Sequence, residues 1–178
     1  MLAPMRIPDT KPATELIDGC LVQKMSPMYR HQALEKRWVA ALDAWADGRG
    51  EALTEWRHEF RAPGHSFASL VPDVVYVSFD TLDELGSEGR QKPQRAPEAA
   101  VEILSPGQSE RNMAWKVDAY IGAGTRVVFV VDPIHRTVIA HAHDGATRFE
   151  SGDVVTHPAM PGFAYAVDTM FGGRYLED

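Results

Sequence analysis

Apolar and polar positions alternate along much of this chain with one of two periods, and the changes of period mark out its elements. Residues 15–25 read as a hairpin, with Leu16 and Ile17 before a turn at Asp18-Gly19 and Cys20 to Val22 after it. Ser26-Pro27 then opens a helix of about twenty residues that ends at the Gly48/Gly50 pair. Its apolar stripe, at 100° per residue, is Leu34, Trp38, Leu42 and Trp45. The pattern predicts strands over 52–60 and 70–77, with Pro63-Gly64 breaking the chain between them, and a loop over 79–97 with one helical turn near 81–85. A strand over 98–104 precedes a helix over 109–122, in which Met113, Val117 and Tyr120 form the buried stripe. Residues 126–131 are a continuous β-branched and aromatic run, the pattern of a central strand covered on both faces. Later, Asp144-Gly145 and Ser151-Gly152 separate short stretches that read as peripheral hairpins. The order of elements predicts an α/β fold, a central mixed sheet flanked by helices.

Some residues break these patterns, and such violations tend to sit at functional positions. Asp73 begins the apolar run Val74 to Val77, where alternation places it on one face with Val75 and Val77. Glu102 lies inside Ala99 to Leu104, sharing a face with Ala100 and Leu104. Burying an unpaired carboxylate costs several kcal/mol unless it is protonated, paired or bound to metal. Two carboxylates on neighbouring strands can relieve that cost by sharing a divalent cation. Alternatively, Asp73 caps a turn and Glu102 meets an arginine. On the first helix His31 and Glu35 fall inside the apolar stripe, at its N-terminal end. Lys116 sits at the margin of the buried stripe of its helix, where its ammonium can reach the end of the Glu102 strand; ordinary snorkelling gives the same pattern.

Composition narrows the field. The 178 residues suit one domain, drawn as residues 14–178 after a flexible N-terminal segment, 1–13. The first fourteen residues hold Pro4, Pro8 and Pro12 and no apolar core, so no signal peptide is expected. A single cysteine, Cys20, permits no internal disulfide or cysteine-based zinc site, and a cytoplasmic protein is expected. A formal charge of −7 argues against indiscriminate nucleic-acid binding. Local basic groups remain at Arg90, Lys92 and Arg95, and at Arg30, Lys36 and Arg37; solvated surface charge is the simpler reading of both. His141 and His143, two apart on one hairpin face, lack a third ligand, and neither Cys20 nor Ser105 has the surroundings of a nucleophile.

Several fragments in register carry a resemblance. Thr14-Glu15-Leu16-Ile17-Asp18-Gly19, Met25-Ser26-Pro27 with His31, Val71-Pro72-Asp73-Val74-Val75, Val101-Glu102-Ile103-Leu104-Ser105-Pro106, Lys116 with Tyr120, and Val130-Val131-Asp132-Pro133 together resemble the Uma-two restriction-endonuclease family. That family is similar to the PD-(D/E)XK, or restriction-endonuclease-like, superfamily, whose members bind Mg²⁺ and cleave phosphodiester bonds. The resemblance implies that Asp73 and Glu102 are the motif carboxylates and ligands of Mg²⁺ or Mn²⁺. Leu104 stands where the usual motif lysine would be, and Lys116 from the following helix takes that role. Asn112 replaces the aspartate often found one turn before this lysine. His31 and Glu35 are accessory candidates, DNA is the implied substrate, and a homodimer is implied by the paired cuts such nucleases make. Two other readings stand beside this one: a catalytically silent nucleic-acid-binding or regulatory protein that keeps the fold, and an interaction module whose buried charges merely pair.

Overall fold

A computed structural model describes residues 7–173 and 176 of the chain. The expected hairpin is present as β1 (Thr14–Ile17) and β2 (Cys20–Gln23). Its two turn residues, Asp18 and Gly19, both have positive φ, 48° and 75°, the twist that suits a two-residue hairpin loop. Of the segment expected to be flexible, residues 1–6 lie outside the described residues. Its end is held to the hairpin, where Lys24 N donates to Ala13 O at 2.9 Å.

Helix α1 (Tyr29–Ala46) buries Leu34, Trp38, Leu42 and Ala46 and ends on Asp47 in the left-handed conformation. Next come β3 (Gly50–Thr54), β4 (His58–Phe60), β5 (Ala68–Leu70) and β6 (Val74–Ser78). Each of the two strands expected over 52–60 and 70–77 is thus a pair of strands, broken at Glu55 (φ 50°) and at Pro72-Asp73. In both cases the chain passes between two sheets at the break. β3 and β6 pair in a large sheet, β4 and β5 in a small one.

The expected loop over 79–97 is mostly a helix, α2 (Phe79–Gln91), capped by Ser78 Oγ, which accepts from Thr81 N at 3.2 Å. Gly86, at φ 63°, kinks it, and Leu82 is its one buried residue among those described. Two glycines and a nearly all-polar face give little helical pattern to read. Then follow β7 (Ala99–Ile103), α3 (Glu110–Gly122), β8 (Val127–Asp132), β9 (Thr137–Ala142) and β10 (Gly145–Phe149). The chain closes with β11 (Val154–Val155), β12 (Tyr165–Ala166) and α4 (Val167–Phe171).

The large sheet has the order β10-β9-β8-β7-β6-β3 and is mixed, since β7 and β8 run parallel and its other pairs are antiparallel. One face, with Val74, Val101, Ile103, Phe129 and Val131, packs under Leu34, Trp38 and Leu42 of α1 and Met170 of α4. Trp38 lies 5.0 Å, ring to ring, from Phe129. The other face, with Ala100, Val128 and Val130, packs under Met113, Val117 and Tyr120 of α3. The continuous apolar run of β8 is therefore covered on both sides. The small antiparallel sheet, order β2-β1-β5-β4, lies on the α3 side, where Ile17, Phe60 and Leu70 join the same apolar cluster.

Several of the basic residues singled out in the sequence have structural partners. Lys92 pairs with Glu59 at 2.6 Å and Arg95 with Glu84 at 3.2 Å, while Arg37 Nη1 donates to Met170 O at 2.6 Å and ties α1 to α4. Among the described residues no helix is long and apolar enough to cross a membrane.

His58 in β4 is buried, and its Nδ1–H donates to Arg95 O at 2.9 Å. Burial holds its pKa down to about 4, helped by the Arg95 charge and only partly opposed by that hydrogen bond. The imidazole is thus neutral in the fold and must be charged when unfolded below its ordinary 6.5. The stability this group contributes is full above pH 6.5 and is lost as pH falls from 6.5 towards 4, to a total of about 3 kcal/mol. A histidine NMR titration should give His58 a midpoint near 4, and a midpoint near 6.5 would contradict the buried neutral state.

Candidate active site

The two crossings between sheets bring four elements to one cleft of about 280 Å³, whose walls carry Glu15, Lys24, His31, Asp73, Glu102 and Lys116. Asp73 occupies the crossing from β5 to β6, one residue before β6 begins. The β6–β7 register ends at the pair Val74 and Val101, so Asp73 and Glu102 are the next residues beyond it on the two chains. The two sequence-identified carboxylates are therefore neighbours across adjacent segments. Asp73 Oδ2 accepts from Ile103 N at 2.6 Å, which fixes the carboxylate against β7.

Lys116 is not at a margin. It is 1% exposed, fully inside the protein, and reaches both Glu102 oxygens at 2.7 and 2.8 Å. Its ammonium also donates to both oxygens of Glu15, at 3.0 and 3.1 Å. Tyr120, one helical turn further along α3, donates its hydroxyl to Glu102 Oε1 at 3.0 Å. Lysine and tyrosine at this spacing share a helix face, so α3 presents a donor pair to one carboxylate. Of the two simple alternatives for Glu102, pairing is what occurs, with a lysine in place of the arginine.

His31 meets the cleft as its helical phase implied, with Nε2 3.2 Å from Asp73 Oδ2. Glu35 is half-buried one turn on, and among the described residues it makes no hydrogen bond or ion pair. The contact His31 makes is thus with Asp73 and not with Glu35.

Glu15 and Lys24 are the members that sequence reasoning missed. Glu15 Oε1 accepts from Val71 N at 2.7 Å. Lys24 Nζ donates to Val71 O at 2.8 Å and to Asp73 Oδ1 at 2.6 Å. These side chains satisfy the backbone of the crossing 71–73, which belongs to no ladder and would otherwise bury unpaired polar groups. A charged residue directly before the apolar pair Leu16-Ile17 was the only signal for Glu15, weaker than the one that singled out Glu102. A four-residue strand is too short for alternation to reveal it. Lys24 looked like any lysine at a hairpin end.

Charge in the cleft nearly balances, three carboxylates against two ammoniums. Burial would raise the Asp73 pKa, but the Lys24 charge and the His31 contacts outweigh it and hold the carboxyl well below its usual range. Burial would lower the His31 pKa, but the hydrogen bond and charge of Asp73 raise it. Glu102 is pushed up to about 7 by burial, against the pull of Lys116, with the charges of Asp73 and Glu15 adding to the rise. Lys116 is pushed up too, because the charges of Glu102 and Glu15 overcome its burial. The geometry favours a charged Lys116, since four carboxylate oxygens within 3.1 Å of Nζ call on all three N–H donors of an ammonium, with one donor shared.

The carboxylate oxygens of Asp73 and Glu102 are hard donors. Mg²⁺ commonly takes one or two carboxylates and fills its octahedron with water, so two carboxylates lining one cleft suit such an ion by their chemistry. Among the described residues no group of three His, Cys, Asp or Glu side chains is arranged to hold a metal.

A mixed sheet flanked by helices, with a charged cleft at the end of two central strands, defines the structural class. The crystal structure of a putative nuclease belonging to DUF820 from Anabaena variabilis ATCC 29413 has the same fold. The TM-score is 0.81, with 25% sequence identity over 92% of each chain. The family model described as Uma2, putative restriction endonuclease, matches residues 4–168, and the chain belongs to this family. Among curated proteins none matches.

Replacing Lys116 by methionine leaves Glu15 and Glu102 buried without their shared cation. Urea unfolding at neutral pH should show Lys116→Met less stable by about 3–5 kcal/mol, as for other buried pairs broken from one side. A loss below about 1 kcal/mol would place the ammonium in solvent, where ion pairs are worth little.

Proposed function

We propose that this protein is a metal-dependent endonuclease of the PD-(D/E)XK type that hydrolyses phosphodiester bonds in DNA. The observation that carries the proposal is the convergence of Asp73, Glu102 and Lys116, from a sheet crossing, a strand and a helix, on one buried cleft. The Uma2 family and the Anabaena variabilis structure are both described as putative nucleases, which supports phosphodiester chemistry.

Asp73 and Glu102 are the residues that would hold Mg²⁺ or Mn²⁺. The chemistry such an ion supplies is Lewis-acid polarisation of a phosphoryl oxygen and activation of water. The chain's own groups do the rest. Lys116 directs a fixed positive charge at the cleft, where negative charge builds on the phosphoryl oxygens as the bond breaks. Glu15 and Tyr120 restrain that arrangement, Glu15 by binding the ammonium and Tyr120 by binding Glu102. His31 holds Asp73 from the α1 side.

One observation favours a second reading, a silent nucleic-acid-binding protein of the same fold. Lys24 and Lys116 already satisfy the carboxylates, so the cleft is complete without an ion.

Cleavage of supercoiled plasmid, single-stranded DNA and RNA in Mg²⁺ and in Mn²⁺ decides between them. The wild type should cut DNA. Asp73→Asn and Glu102→Gln, which keep shape and lose charge, should be slower by at least about 100-fold, the equivalent of a few kcal/mol of transition-state stabilisation. A folded wild type that cuts none of these substrates with either metal, while binding DNA, would establish the silent reading instead.

A further inference from the structure

Lys24 is an unusual lysine. Its side chain is 14% exposed, yet lysines are seldom buried unless they balance a charge. The two oxygens of Asp73 have different duties. Oδ2 is committed to Ile103 N and His31. Oδ1 accepts from Lys24 Nζ at 2.6 Å.

We propose that Lys24 is a tethered counter-ion which occupies Asp73 Oδ1 in the metal-free protein and must be displaced for a divalent cation to bind there. Lys24 therefore sets the affinity of the cleft for metal. The inference rests on the reading of Asp73 as a metal ligand. Its physical basis is exchange in place of addition. A divalent ion entering an uncompensated carboxylate cluster would gain the full attraction of those charges. Here it must first separate an ammonium from a carboxylate 2.6 Å away and free Val71 O, and it gains only the difference. The tether also makes the exchange reversible. Lys24 follows β2 at the cleft wall and is partly open to solvent, so the released ammonium can be hydrated without unfolding the hairpin. Lys116, at 1% exposure and gripped by two carboxylates, has no such exit.

The test is a Mn²⁺ titration of the intact chain, followed by the electron paramagnetic resonance signal of free Mn²⁺, with no substrate present. Lys24→Met should bind Mn²⁺ more tightly than wild type by roughly tenfold or more, and its melting temperature without metal should fall. Lys24→Arg keeps the cation and should bind no more tightly than wild type. Lys24→Gln retains a donor for Val71 O and should behave as Lys24→Met; it guards against a methionine variant that fails to fold. Lys24→Met and Lys24→Gln affinities within roughly twofold of wild type, or weaker, would overturn the proposal. Failure of the metal reading has a different signature. Neither wild type nor either uncharged variant would then bind Mn²⁺, and the counter-ion role falls with it.

Discussion

A single ammonium ties this structure together. Lys116 of α3 holds Glu15 of the small sheet and Glu102 of the large sheet at once, inside the protein, with every contact at 3.1 Å or less. The segment that passes between the two sheets at 71–73 has no ladder partners of its own. Glu15, positioned by Lys116, supplies the acceptor that Val71 N needs. A helix, two sheets and the crossing between them are thus set in one register by one cation. A neutral residue could fill the same volume but could not impose the same register, because apolar contacts do not specify direction.

The same arrangement explains why the cleft tolerates so many charges. Each carboxylate has its own donors: Lys24, His31 and Ile103 N for Asp73, Lys116 and Tyr120 for Glu102, Lys116 and Val71 N for Glu15. Two carboxylates forced together without a cation would repel and strain the metal-free protein. In this cleft ammonium groups stand beside both Asp73 and Glu102. On the proposed metal reading, an ion would enter this cleft by exchange with the Lys24 ammonium. This makes the metal response a question about Lys24 as much as about the carboxylates.

Much of this was legible in the sequence. Period and punctuation disclosed the hairpin, α1, α3, the doubly covered β8 and the mixed sheet, because each buries a stripe or face long enough to repeat. Asp73 and Glu102 stood out as charges in apolar strands, and His31 and Lys116 as polar residues on or beside buried helical stripes. Helix α2 was read only as one turn near 81–85 because it buries little and is kinked at Gly86. The splitting of two strands escaped notice because each pair of short strands reads as one continuous run. Glu55 in the left-handed conformation and Pro72 in the crossing end the strands, but only the pairing of β4 with β5 shows where the chain goes.

What the sequence by itself determined was which residues would be costly to bury: local pattern assigns a carboxylate to an apolar strand without reference to the rest of the chain. Which residues repay that cost was decided by the tertiary structure alone. Lys24 and Asp73 are 49 positions apart, and Lys116 and Glu15 are 101 apart. No periodicity spans such distances. The pairings exist because two sheets cross at Pro72-Asp73, and because an ion pair in a buried cleft depends on a few ångströms of separation that only the assembled fold can set.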